Sequence, residues 1–86
     1  MVEVHELEYG KIYPLKRGKE GIYMGNTPKG RGRVLYRSTT GYPIVDSFDL
    51  KTATLEEGVL KGRFYFLHLK KNQELFADEI LDKKGL

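Results

Sequence analysis

Gly62-Arg63-Phe64-Tyr65-Phe66-Leu67-His68-Leu69-Lys70-Lys71 carries the densest run of large apolar and aromatic side chains in the chain. It is far shorter than the ~20 apolar residues of a membrane span. The aromatic content, Gly62 ahead of the run and Lys70-Lys71-Asn72 behind it make it a strand. Strand alternation sends Phe64, Phe66 and His68 to one face and Tyr65, Leu67 and Leu69 to the other. Both faces are apolar, so the spacing predicts a central strand, or one with a barrel interior on one side and a helix on the other.

Outward from this strand, the chain punctuates itself. On the N-terminal side, Val2–Tyr9 is a first strand or an extended arm. Lys11–Lys16 is a short strand that Pro14 confines to an edge or a bulge. Arg17–Gly21 is a turn, and Gly21–Gly25 is a strand with Ile22 and Met24 on one face and Tyr23 on the other. Asn26–Gly32 is a loop and Arg33–Arg37 a strand, together a β-hairpin with a basic tip. Val34 and Tyr36 share one face of that strand; Arg33, Leu35 and Arg37 share the other. After a turn at 38–41, Tyr42–Val45 is a further strand and Asp46–Leu50 a turn. Residues 51–60 read as strand and turn, with a helical turn at Leu55-Glu56-Glu57 as the alternative. At the other end, Asn72 is placed to cap a helix over about 73–83, with the stripe Leu75, Phe76, Ile80 and Leu81 on its buried face and Gly85 as its stop. The expected fold is α+β within one domain, 1–86: a bent, mainly antiparallel sheet of five or six strands, or a small barrel, closed by one C-terminal helix.

With 86 residues, 40% of them hydrophobic, the chain supports one small core and is no disordered tail. It has no cysteine, which excludes a disulfide scaffold and a thiolate zinc site. The first residues, with Glu3 and Glu6 and no apolar segment, do not have the form of a signal peptide. A cytoplasmic protein without a membrane span is expected.

The net charge is only +3, but it is sorted: between residues 11 and 37 eight Lys/Arg stand against the single acid Glu20. Lys16, Arg17 and Lys19 sit in one turn, Lys29, Arg31 and Arg33 in and beside the next, and Arg37 follows. Tyr13, Tyr23, Tyr36 and Tyr42 are interleaved with them. Basic side chains can track phosphates while tyrosine rings stack on bases. The alternative is a solvated surface with the tyrosines half in the core.

Other chemistry is poorly supplied. Gly25–Gly32 lacks the Lys-Ser/Thr and the following helix of a phosphate-binding P-loop. Lys61–Phe66 lacks the aromatic and small residues of an RNA-recognition motif at Arg63 and Phe64. His5 and His68 are far apart, and the acids have no calcium-loop spacing. Ser38 and Ser47 lack the glycines of a nucleophile elbow, and Glu56-Glu57 would point apart in a strand. No catalytic residue, metal or cofactor is expected.

Lys11-Ile12-Tyr13, Gly21-Ile22-Tyr23-Met24-Gly25 and Arg33-Val34-Leu35-Tyr36, followed by the aromatic strand, resemble the strand order of small SH3-like barrels of the Tudor and KOW kind. The resemblance covers about half the chain and departs at the C-terminal helix. It implies a binding domain for peptides or nucleic acids rather than an enzyme. The expected function is therefore a non-enzymatic binding module. It would hold a nucleic acid or nucleotide through Lys16, Arg17, Lys19, Lys29, Arg31, Arg33 and Arg37, with Tyr23 or Tyr36 stacking on a base. The alternative is a small regulator or inhibitor, of the phage or mobile-element type, docking onto an acidic protein surface.

Overall fold

The computed structural model describes residues 2–3 and 7–86. The readings of His5 and Glu6 lie outside the described residues. Eight strands and one helix follow in order: β1 Val2–Glu3, β2 Ile12–Pro14, β3 Glu20–Asn26, β4 Arg31–Arg37, β5 Pro43–Asp49, β6 Thr54–Glu56, β7 Val59–Lys61, β8 Phe64–Leu67 and α1 Lys71–Lys83. A 3-10 turn, Lys16–Gly18, joins β2 to β3. The class is α+β and every strand pair is antiparallel. The large sheet has the order β2-β3-β4-β5-β8 and the small one β1-β6-β7.

The aromatic run is not central, as its composition implied. β8 spans only Phe64–Leu67 and forms an edge of the large sheet, paired with β5 alone. Gly62 stops the strand from running on. It turns the chain against Ala53, where a Cβ would come within 3.1 Å of the Ala53 side chain. The small sheet ends with β7 at Lys61, and the run beyond the bend contributes only Phe64–Leu67, to the large sheet. Phe64 packs inward, while Tyr65 and Phe66 remain 50% and 61% exposed. The residues read as a turn, Asp46–Leu50, are instead mostly strand: β5 continues to Asp49. Polar residues in that strand are satisfied by side chains. The Tyr36 hydroxyl donates to Asp46 Oδ2 at 2.6 Å, and Arg31 donates to Ser47 Oγ from Nε and Nη2 at 3.3 and 3.1 Å. The stretch 51–60 is a strand, a turn and a strand, with Glu57 and Gly58 both at positive φ.

Alternation on the strands splits the core in two. Tyr13, Leu15, Tyr23, Val34 and Phe48 face the small sheet, where they meet Ala53 and Leu60. Ile22 and Leu35 face the other way and meet Ala77 and Leu81 of α1. The large sheet is thus covered on one face by the small sheet and on the other by the helix. Phe48 is the centre of the first cluster: it contacts the Phe64 ring edge-on, with centroids 5.5 Å apart, and lies over Gly32.

The helix begins earlier than expected. Lys70 is its N-cap residue, and the Lys70 N–H donates to Gln73 Oε1 at 2.8 Å; Asn72 lies inside the first turn. Its end matches the expected stop. Gly85 takes a φ of 76°, its N–H reaches Asp82 O at 3.0 Å, and Leu86 N–H reaches Leu81 O at 2.9 Å. This is the Schellman arrangement that only glycine enters without strain. Of the expected stripe, Leu81 is buried and Ile80 packs beside it, but Ala77 takes the place of Leu75 and Phe76. Leu75 and Phe76 are 67% and 66% exposed. At about 100° per residue, Phe76 falls on one flank of the Ala77 line and Asp78 on the other.

Asp78 decides the helix's rotation. Arg37 Nη1 donates to Asp78 Oδ1 at 2.7 Å and to Gly41 O at 2.9 Å; Nη2 donates to Asp82 Oδ1 at 2.8 Å and Nε to Leu86 O at 2.9 Å. One guanidinium on β4 therefore holds the C-terminal half of α1. A helix of about three turns has little stability of its own, so its order depends on such docking.

Two outcomes test this packing. Gly32→Ala, at an ordinary φ, places a methyl group against the Phe48 ring and is expected to cost about 1–3 kcal/mol by overpacking, measured by urea unfolding. An unchanged midpoint would contradict the packing. Arg37→Ala is expected to speed amide hydrogen exchange across 71–83 while β3 and β4 stay protected; unchanged protection of the helix would show that Arg37 does not hold it.

Candidate functional site

The helix does not cover the whole of its face of the large sheet. It lies over Ile22 and Leu35 and leaves the end near the β3–β4 hairpin bare. That hairpin turn is tight: Thr27 N–H donates to Arg31 O at 2.6 Å and Gly30 N–H to Thr27 O at 3.1 Å, with Gly30 at a φ of 76°. Pro28 and Lys29 form its tip. Along β4, strand alternation puts Arg31 and Arg33 on the bare part and Arg37 under the helix. Across the ladder, Ser47 of β5 faces Arg33, and Tyr65 of β8 faces Ser47.

These residues form a basic groove. Arg31 is fixed by its two bonds to Ser47 Oγ and lies over the Tyr65 ring, with Cζ 5.1 Å from the centroid. Asp49 pairs with Arg31 in register, but its Oδ1 accepts the Lys51 N–H at 2.9 Å. Arg33 is exposed, and its guanidinium makes no hydrogen bond or ion pair among the described residues. A cavity of about 360 Å³ is walled by Pro28, Lys29, Arg31, Arg33, Ser47 and Leu67. A second, of about 410 Å³, shares Arg33 and Leu67 with it and reaches His68 and Gln73. A third, of about 400 Å³, shares Met24, Val45, Leu69 and Gln73 with the second and runs under Phe76 and Ile80. The three form one open groove that is basic at the hairpin end and apolar at the helix end.

The structure divides the residues that the sequence grouped. Lys29, Arg31 and Arg33 come together. Arg37 is on the same sheet face, as its spacing requires, but its guanidinium is committed to Asp78 and Asp82. Lys16 and Arg17 sit on the 3-10 turn, which packs beside β7. Lys19 lies over the Tyr36 ring, 5.5 Å from its centroid. Because Tyr36 alternates with Arg33 and Arg37, these three cations are on the other side of the large sheet. Tyr23 is 4% exposed within the inner core, and offers no ring face to a base. Tyr36 is half-buried, with its hydroxyl held by Asp46.

Tyr65, Ser47 and Leu67 were not anticipated as part of the site. Tyr65 and Leu67 became available because β8 is an edge strand; the apolar composition of the run had argued for burial. Among the described residues, no group of three or more His, Asp or Glu side chains is placed to hold a metal ion, and no helix is long and apolar enough to cross a membrane. No family model, curated protein or solved structure matches the chain.

The titration behaviour of Tyr36 follows from this geometry. Burial, then the bond to the Asp46 carboxylate and that carboxylate's charge, hold its phenol far above the ordinary tyrosine range. Burial and the nearby Tyr13 raise Tyr23 as well. Above pH ~10 the unfolded chain ionises these tyrosines while the folded chain keeps them protonated. The unfolded state then binds fewer protons, so stability is full below that pH and falls as pH rises through it. Tyr36→Phe is expected to flatten this alkaline loss in a series of urea melts; an identical slope in the variant would contradict the Tyr36–Asp46 bond.

Proposed function

We propose that this chain is a non-catalytic binding module that holds a single-stranded nucleic acid on the basic end of its groove. The observation that carries the reading is the convergence of Lys29, Arg31 and Arg33 beside the half-exposed ring of Tyr65. Three cations at one end of a trough can follow a phosphate backbone, and arginine forms paired hydrogen bonds with phosphate oxygens. A tyrosine ring beside them gives a base a face to stack on, worth about 1–3 kcal/mol per base. The groove is concave, which suits a flexible single strand better than the wide cylinder of a duplex. A cytosolic setting and a barrel of the SH3-like kind, left open between β2 and β7, belong to the same proposal. In support of the barrel, the two sheets face each other across one core and β2 packs near β7.

The rival reading, a regulator or inhibitor docking onto an acidic protein, draws support from the exposed apolar side chains Phe66, Leu75 and Phe76. Affinity capture from nuclease-treated extract favours it if a stoichiometric protein partner persists.

Titration with oligonucleotides at several salt concentrations tests the nucleic-acid reading. Three phosphate contacts to a single strand give a slope of log K against log salt of about −2. Arg31→Glu with Arg33→Glu is expected to weaken binding more than about tenfold, since it reverses two charges at the phosphates. Arg31→Glu also removes the partner of buried Ser47, so the double variant is expected to melt somewhat lower; Arg33→Glu alone, whose guanidinium has no partner among the described residues, should weaken binding with the melting temperature unchanged. Absence of binding to both single-stranded DNA and RNA at low salt would falsify the reading.

A further inference from the structure

The apolar end of the groove has no part in phosphate binding. Met24, Leu35, Val45, Leu69, Phe76 and Ile80 wall a cleft of about 400 Å³ between the sheet and α1. Small-molecule sites occupy about 300–1,000 Å³ and are mostly apolar, with a few polar groups that fix orientation. Here the uncharged amides Asn72 and Gln73 line the cleft at the start of α1, and charge enters at one end only. The cleft passes through Gln73 and Leu69 into the cavity walled by Arg33 and His68. Arg31 is engaged by Ser47 and Tyr65, whereas Arg33 is exposed and without a partner among the described residues. A ligand that fills both parts must be apolar along its length and anionic at its end.

We infer that the groove binds a single-chain anionic amphiphile, with its alkyl chain under Phe76 and Ile80 and its head group on Arg33. The occupant is a small molecule rather than a protein segment because the cleft has the volume of a small-molecule site and its charge is confined to one end. Nothing in this inference requires the nucleic-acid reading, although the two ligands would compete at Arg33. The one-ended attachment of α1 supports it: Arg37 holds the helix through Asp78, Asp82 and Leu86, all C-terminal to Gln73 and Phe76 at the open part of the cleft, while Ile80 sits within the anchored turn.

The test is calorimetric titration of the intact chain with hexanoate, octanoate and decanoate, each below its aggregation concentration. Affinity is expected to rise about fourfold per added methylene, the equivalent of about 0.8 kcal/mol per buried CH2. Arg33→Ala should weaken decanoate about tenfold or more and leave decanol unchanged. Leu69→Trp, which fills the junction, should abolish the chain-length dependence; Met24→Trp serves the same purpose if the first variant melts early. Equal affinity for the three carboxylates, or decanol binding as tightly as decanoate to the parent chain, overturns the inference. So does binding of an acidic peptide with one phenylalanine where decanoate fails, since the occupant is then a protein. Titration of the same samples with single-stranded DNA and RNA keeps the two readings separate: decanoate binding with neither nucleic acid bound removes only the nucleic-acid reading, and the reverse removes only this one.

Discussion

The Arg37 guanidinium reaches Asp78, Asp82, the Gly41 carbonyl and the Leu86 carbonyl from one position on β4. Those bonds fix both the rotation of α1 and the end at which it is anchored. The two carboxylates help to raise the guanidinium's own pKa, Asp78 through its hydrogen bond most of all. With Asp78 and Asp82 turned toward β4, Ala77 and Leu81 fall onto Ile22 and Leu35. Small Ala77 lets the helix approach the sheet closely, and Leu81 fills the space one turn on. Leu75 is left facing solvent as a consequence, since it projects on the far side of the helix.

From that placement follows the division of the sheet face. The same alternation that aligns Arg31, Arg33 and Arg37 would give a continuous basic stripe if the helix were absent. The helix covers the Arg37 end and converts that arginine into part of the scaffold. What is left is a short basic segment at the hairpin, continuous with an apolar cleft at the helix. Elsewhere the positive charge is dispersed: Lys61 pairs with Glu56 at 2.8 Å, and Lys16, Arg17 and Lys19 lie beyond the opposite face. A net charge of +3 therefore says little about the surface; the local arrangement of three side chains says more.

Much of the architecture was legible in the residues. Gly18, Gly30 and Gly41 lie in the turns read for them, although Gly21 and Gly32, read as turn and loop residues, belong to β3 and β4; the alternation in β3 and β4 assigned Ile22, Tyr23, Val34 and Leu35 to the faces they occupy. Two features were hidden for physical reasons. Asp46 and Ser47 read as turn residues, yet a buried polar group is compatible with a strand once it has partners, and Tyr36 and Arg31 supply them. Aromatic composition argued that the 62–71 run was buried on both faces. An edge strand can carry exposed rings, and the position of β8 depends on the bend at Gly62 against Ala53, which alternation does not encode. The candidate site was legible only in part. Lys29, Arg31 and Arg33 stood out by charge, but Tyr65 required the edge position, and the loss of Arg37 required Asp78 and Asp82, about forty residues away. Helical periodicity alone favoured Leu75 and Phe76 over Ala77, because it weighs hydrophobicity and not the charged contacts on the flank.

Nuclear Overhauser contacts between α1 and the sheet test the account most directly. Contacts from the Ala77 and Leu81 methyls to Ile22 and Leu35, with none from Leu75 to any strand, are the expected result. Leu75 and Phe76 found against Ile22 and Leu35, with Asp78 and Asp82 turned away from Arg37, would mean that the helix is rotated. The basic and apolar ends would then not form one groove, and Arg37 would be free to join the cations at the hairpin.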